Sequence, residues 1–171
     1  MPMSEPATSA RGLSLRHPAS LIATVFGIGL LPKAPGTWAS LAAVPLAWLL
    51  DYLVGRTGIV VAGVAIALIG IWASQVYVSH HRVEDPGEIV VDEVAAQLLV
   101  LAVVPLSLLS AVAGFLLFRL FDIVKPWPVS WADRTVKGGF GVMLDDLLAA
   151  GYAAIGLLLV LLLKDSLIHV S

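Results

Sequence analysis

Apolar residues run in four long blocks, at 38–54, 59–79, 94–121 and 147–163, each interrupted by few polar positions. The runs do not alternate with a period of two and are longer than buried strands, so they predict helices. The second block has no charged residue and reads as a membrane-spanning helix, because a hydrocarbon core of about 30 Å takes roughly 20 apolar residues. Within it Gly63, Ala67, Gly70 and Ser74 recur at helical spacing, a stripe suited to close helix contact in lipid. The first block carries Asp51 near its end and Pro45 inside it, where a kink is expected. The fourth is small in its first half (Ala149, Ala150, Gly151, Ala153, Ala154, Gly156) and leucine-rich in its second. Its first half should pack on neighbours and its second should face lipid.

The third block is interrupted by Pro105 and Ser107. It reads as one tilted helix or as two arms, 94–104 and 106–118, each shorter than the roughly 17 residues that span. Charge placement favours two arms folded back as a hairpin. Arg11, Arg16 and Lys33 precede the first block, Arg82 follows the second, and Arg119, Lys125, Arg134 and Lys137 surround the region before the fourth. Only Arg56 and Lys164 lie elsewhere. The excess of cations on cytoplasmic loops puts the N-terminus, 80–93 and 119–146 on one side. Blocks one and two satisfy this as an out-and-back pair, and block three must return to the side it left. The expected fold is all-α, a polytopic membrane helical bundle with a helical hairpin and cytoplasmic polar loops. Residues 1–20 read as a flexible N-terminal tail and 21–171 as a single membrane-embedded domain. Residues 21–31 read as a short buried or interfacial segment and not as a signal sequence, because Pro32, Lys33, Pro35 and Gly36 follow where a cleavage site would be.

Composition agrees with a lipid-facing surface. The 171 residues are 59% hydrophobic and 13% charged, against a usual charged share of about 25%. A soluble domain of this size cannot hide so much apolar surface. A net charge of −2 gives no general attraction for nucleic acid. The absence of cysteine excludes disulfides, thiolate metal sites and thiol catalysis.

The acidic residues change the picture. Of 12, nine fall in two islands: Glu84, Asp85, Glu88, Asp92 and Glu93, then Asp122, Asp133, Asp145 and Asp146. Carboxylates beside a bilayer are costly unless solvated, paired or bound to a cation. Two pairs, Asp92-Glu93 and Asp145-Asp146, fall where apolar helices should begin, the second after the glycines 138, 139 and 141. One such pair is explained by capping and the helix dipole. Two, each next to basic residues, favour a hard divalent cation such as magnesium, which takes carboxylate and phosphate oxygens together. Arg119, Lys125, Arg134 and Lys137 are then candidates for the remaining phosphate oxygens, with Arg119 equally readable as a topology anchor. His80 and His81 are neighbours that share no helix face and read as interfacial, and Trp127 and Trp131 belong to an aromatic belt. The glycines form no nucleotide-binding fingerprint.

Four stretches together resemble the bacterial phosphatidylglycerophosphatase A family. They are Gly27-Ile28-Gly29 with Pro32 to Thr37, Asp85 to Glu93, Phe118 to Pro126, and Gly138 to Asp146. The chain departs at Ala39 and Ala96, where the family commonly has glycine; both changes are small for small. The resemblance implies an enzyme of phospholipid biosynthesis at the inner face of the bacterial cytoplasmic membrane. It removes the terminal phosphate of phosphatidylglycerophosphate, giving phosphatidylglycerol, and requires magnesium. On this reading Asp92, Glu93, Asp145 and Asp146 hold one or two Mg2+ ions, with Asp122 a further ligand and Glu93 alternatively the general base. Lys125 and Arg119 neutralise phosphate charge, while Lys33, Gly36, Thr37, Arg134 and Lys137 bind substrate. Direct water attack and a phosphoenzyme through an aspartate both stay open, as does the oligomeric state. Two other function classes compete: a small transporter or channel subunit, and another metal-dependent lipid head-group enzyme.

Overall fold

The computed structural model describes residues 13–14, 16–81 and 86–170, and every regular element among them is helical. In chain order these are α1 (Pro18–Ala23), a 3-10 turn (Ile28–Leu30), α2 (Pro35–His81), α3 (Val91–Ala102), α4 (Leu108–Val124), α5 (Val129–Thr135) and α6 (Gly138–Val170). Arg11, Arg82, Glu84 and Asp85, to which the sequence reading gave roles, lie outside the described residues. α1 takes in Pro18, Ala19 and Ser20, the last three residues read from sequence as tail.

α2 is two helices in antiparallel contact. Gly55 has φ 72° and ψ −178°, a region essentially confined to glycine, and it turns the chain between arms 35–54 and 56–81. The contacts fix the directions. Ala39, Ala43 and Ala47 of the first arm share a core with Ile59 of the second. Gly36, at the far end of the first arm, and Gly70, well along the second, meet Glu93 and Val91 at the start of α3. This is the out-and-back pair expected from blocks one and two. The interruption is at Gly55, not at Pro45: Gly55 alone inside α2 has non-helical angles. Pro45 lies on an outer apolar face with Trp38 and Leu41, where one forfeited backbone hydrogen bond leaves the helix continuous.

The hairpin read into block three is present. α3 ends before Pro105, and Ser107 restarts the chain with a capping box in which Ser107 and Ser110 satisfy each other's backbone N–H groups. The arms are Val91–Ala102 and Leu108–Val124, so the second is longer than expected and carries Arg119 and Asp122 inside its last turns. α6 runs antiparallel to α4: Lys125 meets Asp145 at one end, and Gly114 meets Leu157 further along. The small-residue stripe packs inward as expected, with Gly63 against Ala95 and Leu99 of α3 and Gly70 against Met143 of α6.

Large apolar side chains point outward. Trp48, Leu49, Tyr52 and Leu53 of the first arm, Val61, Leu68 and Trp72 of the second, and Leu159, Leu162 and Leu163 of α6 are all exposed. Pro35–His81 and Gly138–Lys164 are long and apolar enough to cross a membrane.

Candidate active site

The topology gathers chemistry at one end of the bundle. The start of α2, the start of α3, the end of α4 and the early turns of α6 meet there around a cleft of about 260 Å³. Gly36, Asp92, Glu93, Arg119, Asp122, Lys125, Asp145 and Asp146 all line it. Members of the two sequence islands, whose nearest acids Glu93 and Asp122 are 29 positions apart, therefore line one cleft.

The carboxylates divide into two groups. Asp92, Glu93 and Asp146 place one oxygen each within 4.8 Å of one another. Three ionised groups this close repel by about 3 kcal/mol per pair even with the screening usual near a protein surface. Asp92 and Asp146 are buried and Glu93 is partly so, and two of the oxygens, Glu93 Oε2 and Asp146 Oδ2, have no hydrogen-bond partner. Burial first, and then the nearby charges of Glu93 and Asp146, push the Asp92 carboxyl well above the usual carboxylate range. Burial also raises Glu93, against the lowering effects of its hydrogen bond with Asp92 and of the Arg119 charge. Hard oxygen donors, mutual repulsion and orphaned lone pairs together fit a divalent cation. The other two carboxylates already hold cations: Asp122 pairs with Arg119 at 2.8 Å and Asp145 with Lys125 at 2.7 Å.

The second acidic pair is not at a helix start. α6 opens at Gly138, so Asp145 and Asp146 sit two turns inside it. The glycines do not precede the helix but form its first turn, where Gly139 crosses α2 against Ile71 and donates its N–H to Gln75 Oε1 at 2.9 Å. Capping and the helix dipole fade within the first turn, so neither accounts for these two acids. Asp92 and Glu93 do lie in the first turn of α3, yet no side chain caps that helix, and Asp92 Oδ1 accepts from the Glu93 N–H at 3.0 Å.

The cations are held in place. Lys125 ends α4 in a left-handed conformation, φ 46°, and its ammonium donates to Asp133 of α5 and Asp145 of α6. Burial alone lowers its pKa, but the two carboxylates outweigh that and keep it above the ordinary lysine value. Arg119 contacts Asp122, lies 3.8 Å from Glu93, and reaches Ser40 of α2, whose hydroxyl donates to the Gly36 carbonyl. A Cβ on Gly36 would collide with Glu93 Oε1, so a side chain there would displace that carboxylate.

Among the residues assigned to substrate from sequence, Gly36 lines the cleft, while Lys33, Thr37, Arg134 and Lys137 do not. Lys33 is exposed on the approach to α2. Lys137 lines a small crevice with Asp133 and Asp145 behind Lys125. Arg134 faces a separate hollow on α5. His80 and His81 lie at the end of α2, each with Nδ1 on a carbonyl of its own helix, and take no part. Sequence reasoning missed Ser40 and the role of Asp133. Ser40 carried no signal, being one hydroxyl inside an apolar run; Asp133 was visible only as a charge.

The sequence profile of the Phosphatidylglycerophosphatase A family matches residues 21–161. A Haemophilus influenzae protein named phosphatidylglycerophosphatase A is 42% identical over 84% of this chain and 88% of its own length. An Escherichia coli protein of the same name is 38% identical over 83% of each. A Bacteroides thetaiotaomicron protein, named a putative phosphatidylinositol-3-phosphatase, is 40% identical over 79% of this chain and 88% of its own. No solved structure matches the chain.

Proposed function

The chain belongs to the phosphatidylglycerophosphatase A family, and from that premise we propose that it is a membrane-embedded, magnesium-dependent lipid phosphatase. Its substrate is phosphatidylglycerophosphate, its products are phosphatidylglycerol and phosphate, and the step belongs to phospholipid biosynthesis. The observation that carries the reading is the single cleft lined by the trio Asp92, Glu93 and Asp146 together with the cations Arg119 and Lys125. An acid site alone would repel a phosphomonoester, and a basic site alone would bind it without activating water.

The trio, with Asp145 and Asp122 next to it, would hold Mg2+. When bound, the ion neutralises phosphoryl charge and makes a coordinated water more acidic. Arg119 and Lys125 take the remaining phosphoryl oxygens and meet the charge that grows in the transition state. Their own carboxylate partners fix the two cations in advance, so little reorganisation accompanies the reaction. Where Glu93 is not itself a ligand, its carboxylate is the base instead, accepting the proton of the attacking water as the new P–O bond forms. The ester P–O bond breaks on the opposite side, and the glycerol oxygen takes a proton from solvent, while the proton held by the base is released to solvent when phosphate departs. The apolar outer faces of α2 and α6 hold the site at lipid level, where the head group of the substrate lies. The site end carries Lys33, Arg119, Lys125, Arg134 and Lys137, and the opposite end Arg56 and Lys164, which favours a cytoplasmic site in a bacterial inner membrane.

The Bacteroides relative supports a second reading in which the same chemistry serves another head group. Both are tested by phosphate release from phosphatidylglycerophosphate, phosphatidic acid and phosphatidylinositol 3-phosphate, with and without chelator. Release chiefly from the first, lost with chelator, is expected. Release chiefly from an inositol lipid selects the second reading, and release that a chelator leaves untouched overturns the metal.

A further inference from the structure

Helix α5 has two faces of different character. Val129 and Ala132 are fully buried, and Asp133 turns inward to Lys125. The other face presents Ser130, Trp131, Arg134 and Thr135, and these four, with Trp127 from the turn before α5, line a hollow of about 300 Å³. Trp127 and Trp131 are exposed, and Arg134 makes no ion pair among the described residues. The hollow is fixed to the bundle, because Tyr152 of α6 donates its hydroxyl to the Trp127 carbonyl at 2.8 Å.

We propose that the Trp127–Trp131–Arg134 hollow binds the phosphodiester head group of a second, anionic phospholipid that is not the substrate. An uncommitted guanidinium matches two phosphate oxygens in one plane. Ser130 and Thr135 add hydroxyl donors beside it. Tryptophan rings favour the level of the head groups, where one edge is wet and the ring is apolar. Rings that served as anchors alone would need only to protrude. Here they line a concavity with a cation and two hydroxyls, which suits a head group. The hollow is not the catalytic cleft, since the two share no lining residue. It is nonetheless linked to it, because the residue before Arg134 holds the lysine of the cleft. The assignment rests on the reading that this end of the bundle lies at a membrane surface.

The test is native mass spectrometry of the full-length protein from phosphatidylcholine vesicles with and without phosphatidylglycerol, in the presence of chelator. No hydrolysable monoester is present, so the outcome does not depend on the proposed activity. Wild-type protein should retain a phosphatidylglycerol molecule that Arg134→Gln holds about tenfold more weakly, the loss expected for one charged hydrogen-bonding partner. Trp131→Ala should weaken it too, and Thr135→Val, a milder change, should do so less, with helical content unchanged in each. Equal retention by wild type and Arg134→Gln overturns the proposal. So does displacement of the lipid by millimolar inorganic phosphate alone, which would make the hollow a site for free phosphate.

Discussion

Glu93 Oε1 occupies the space in which a side chain on Gly36 would begin. This one contact joins the start of α2 to the start of α3 and sets where the Glu93 carboxylate sits relative to Arg119. Gly36→Ala should therefore displace Glu93 or part the two helix ends. A displacement of about 1 Å in a catalytic group costs on the order of 10²-fold in rate. Phosphate-release kinetics should show that loss in kcat, with the melting temperature little changed. An unimpaired alanine variant would mean that Glu93 is not held where it acts.

Asp92→Asn and Asp146→Asn each remove one charged member of the trio. Both should abolish magnesium-dependent release while leaving membrane insertion intact. A second readout separates binding from chemistry. Magnesium stabilises the native protein by mass action, by about 2.7 kcal/mol at a concentration 100 times its Kd. Thermal melts of the wild type should rise with magnesium, and those of either variant should not.

The raised pKa values of Asp92 and Glu93 give a pH dependence with a definite sign. A carboxyl raised in the folded state contributes stability that is fully present below its ordinary range and is lost as pH rises through the raised value. The metal-free protein should thus melt higher at acid than at alkaline pH. Magnesium must displace the proton to bind, so its half-saturating concentration should climb as pH falls, by about tenfold per unit for each proton displaced. A pH-independent magnesium requirement would show that the trio does not hold the ion.

Much of this was legible in the chain. Long apolar runs marked both arms of α2, the hairpin and α6, because a helix that is apolar along most of its length shows in composition alone. The small-residue stripe Gly63, Ala67, Gly70, Ser74 correctly marked a buried helix face. Members of both acidic islands line one cleft, although Glu93 and Asp122 are 29 positions apart in the chain. Pro45 was the wrong place to break α2, because a proline forfeits one hydrogen bond, while Gly55 adopts angles that other residues do not. α5 and the early start of α6 were hidden because seven residues of mixed polarity give no period. Arg134 and Lys137 were assigned to the cleft on charge alone, and only the helical face decides which way each points.

Lys125 stands between Asp133 and Asp145, and its two partners separate its roles. Lys125→Met leaves Asp145 without this cation in a buried setting and removes a donor to the phosphate. A loss of about 10²-fold in kcat is expected, in line with removal of one preorganised charge, together with a lower melting temperature. Asp133→Asn keeps the pair with Asp145 and should cost far less in rate. Equal losses in the two variants would show that Lys125 only fastens α5.

Gly55→Ala separates the fold from the site. Gly55 turns α2 at the end of the bundle opposite the cleft, and nothing lies within 4 Å of the position a Cβ would take. Sterically the substitution is free; conformationally it is not. Its φ and ψ fall in a region that costs a residue with a side chain about 1–3 kcal/mol. For a chain of this size each kcal/mol lowers the melting temperature by about 2–4 °C. The alanine variant should accordingly melt several degrees lower while keeping kcat and the magnesium requirement of the wild type below that temperature. A loss of activity without a loss of stability would mean that the turn communicates with the cleft, and the two ends of the bundle would then have to be treated as coupled.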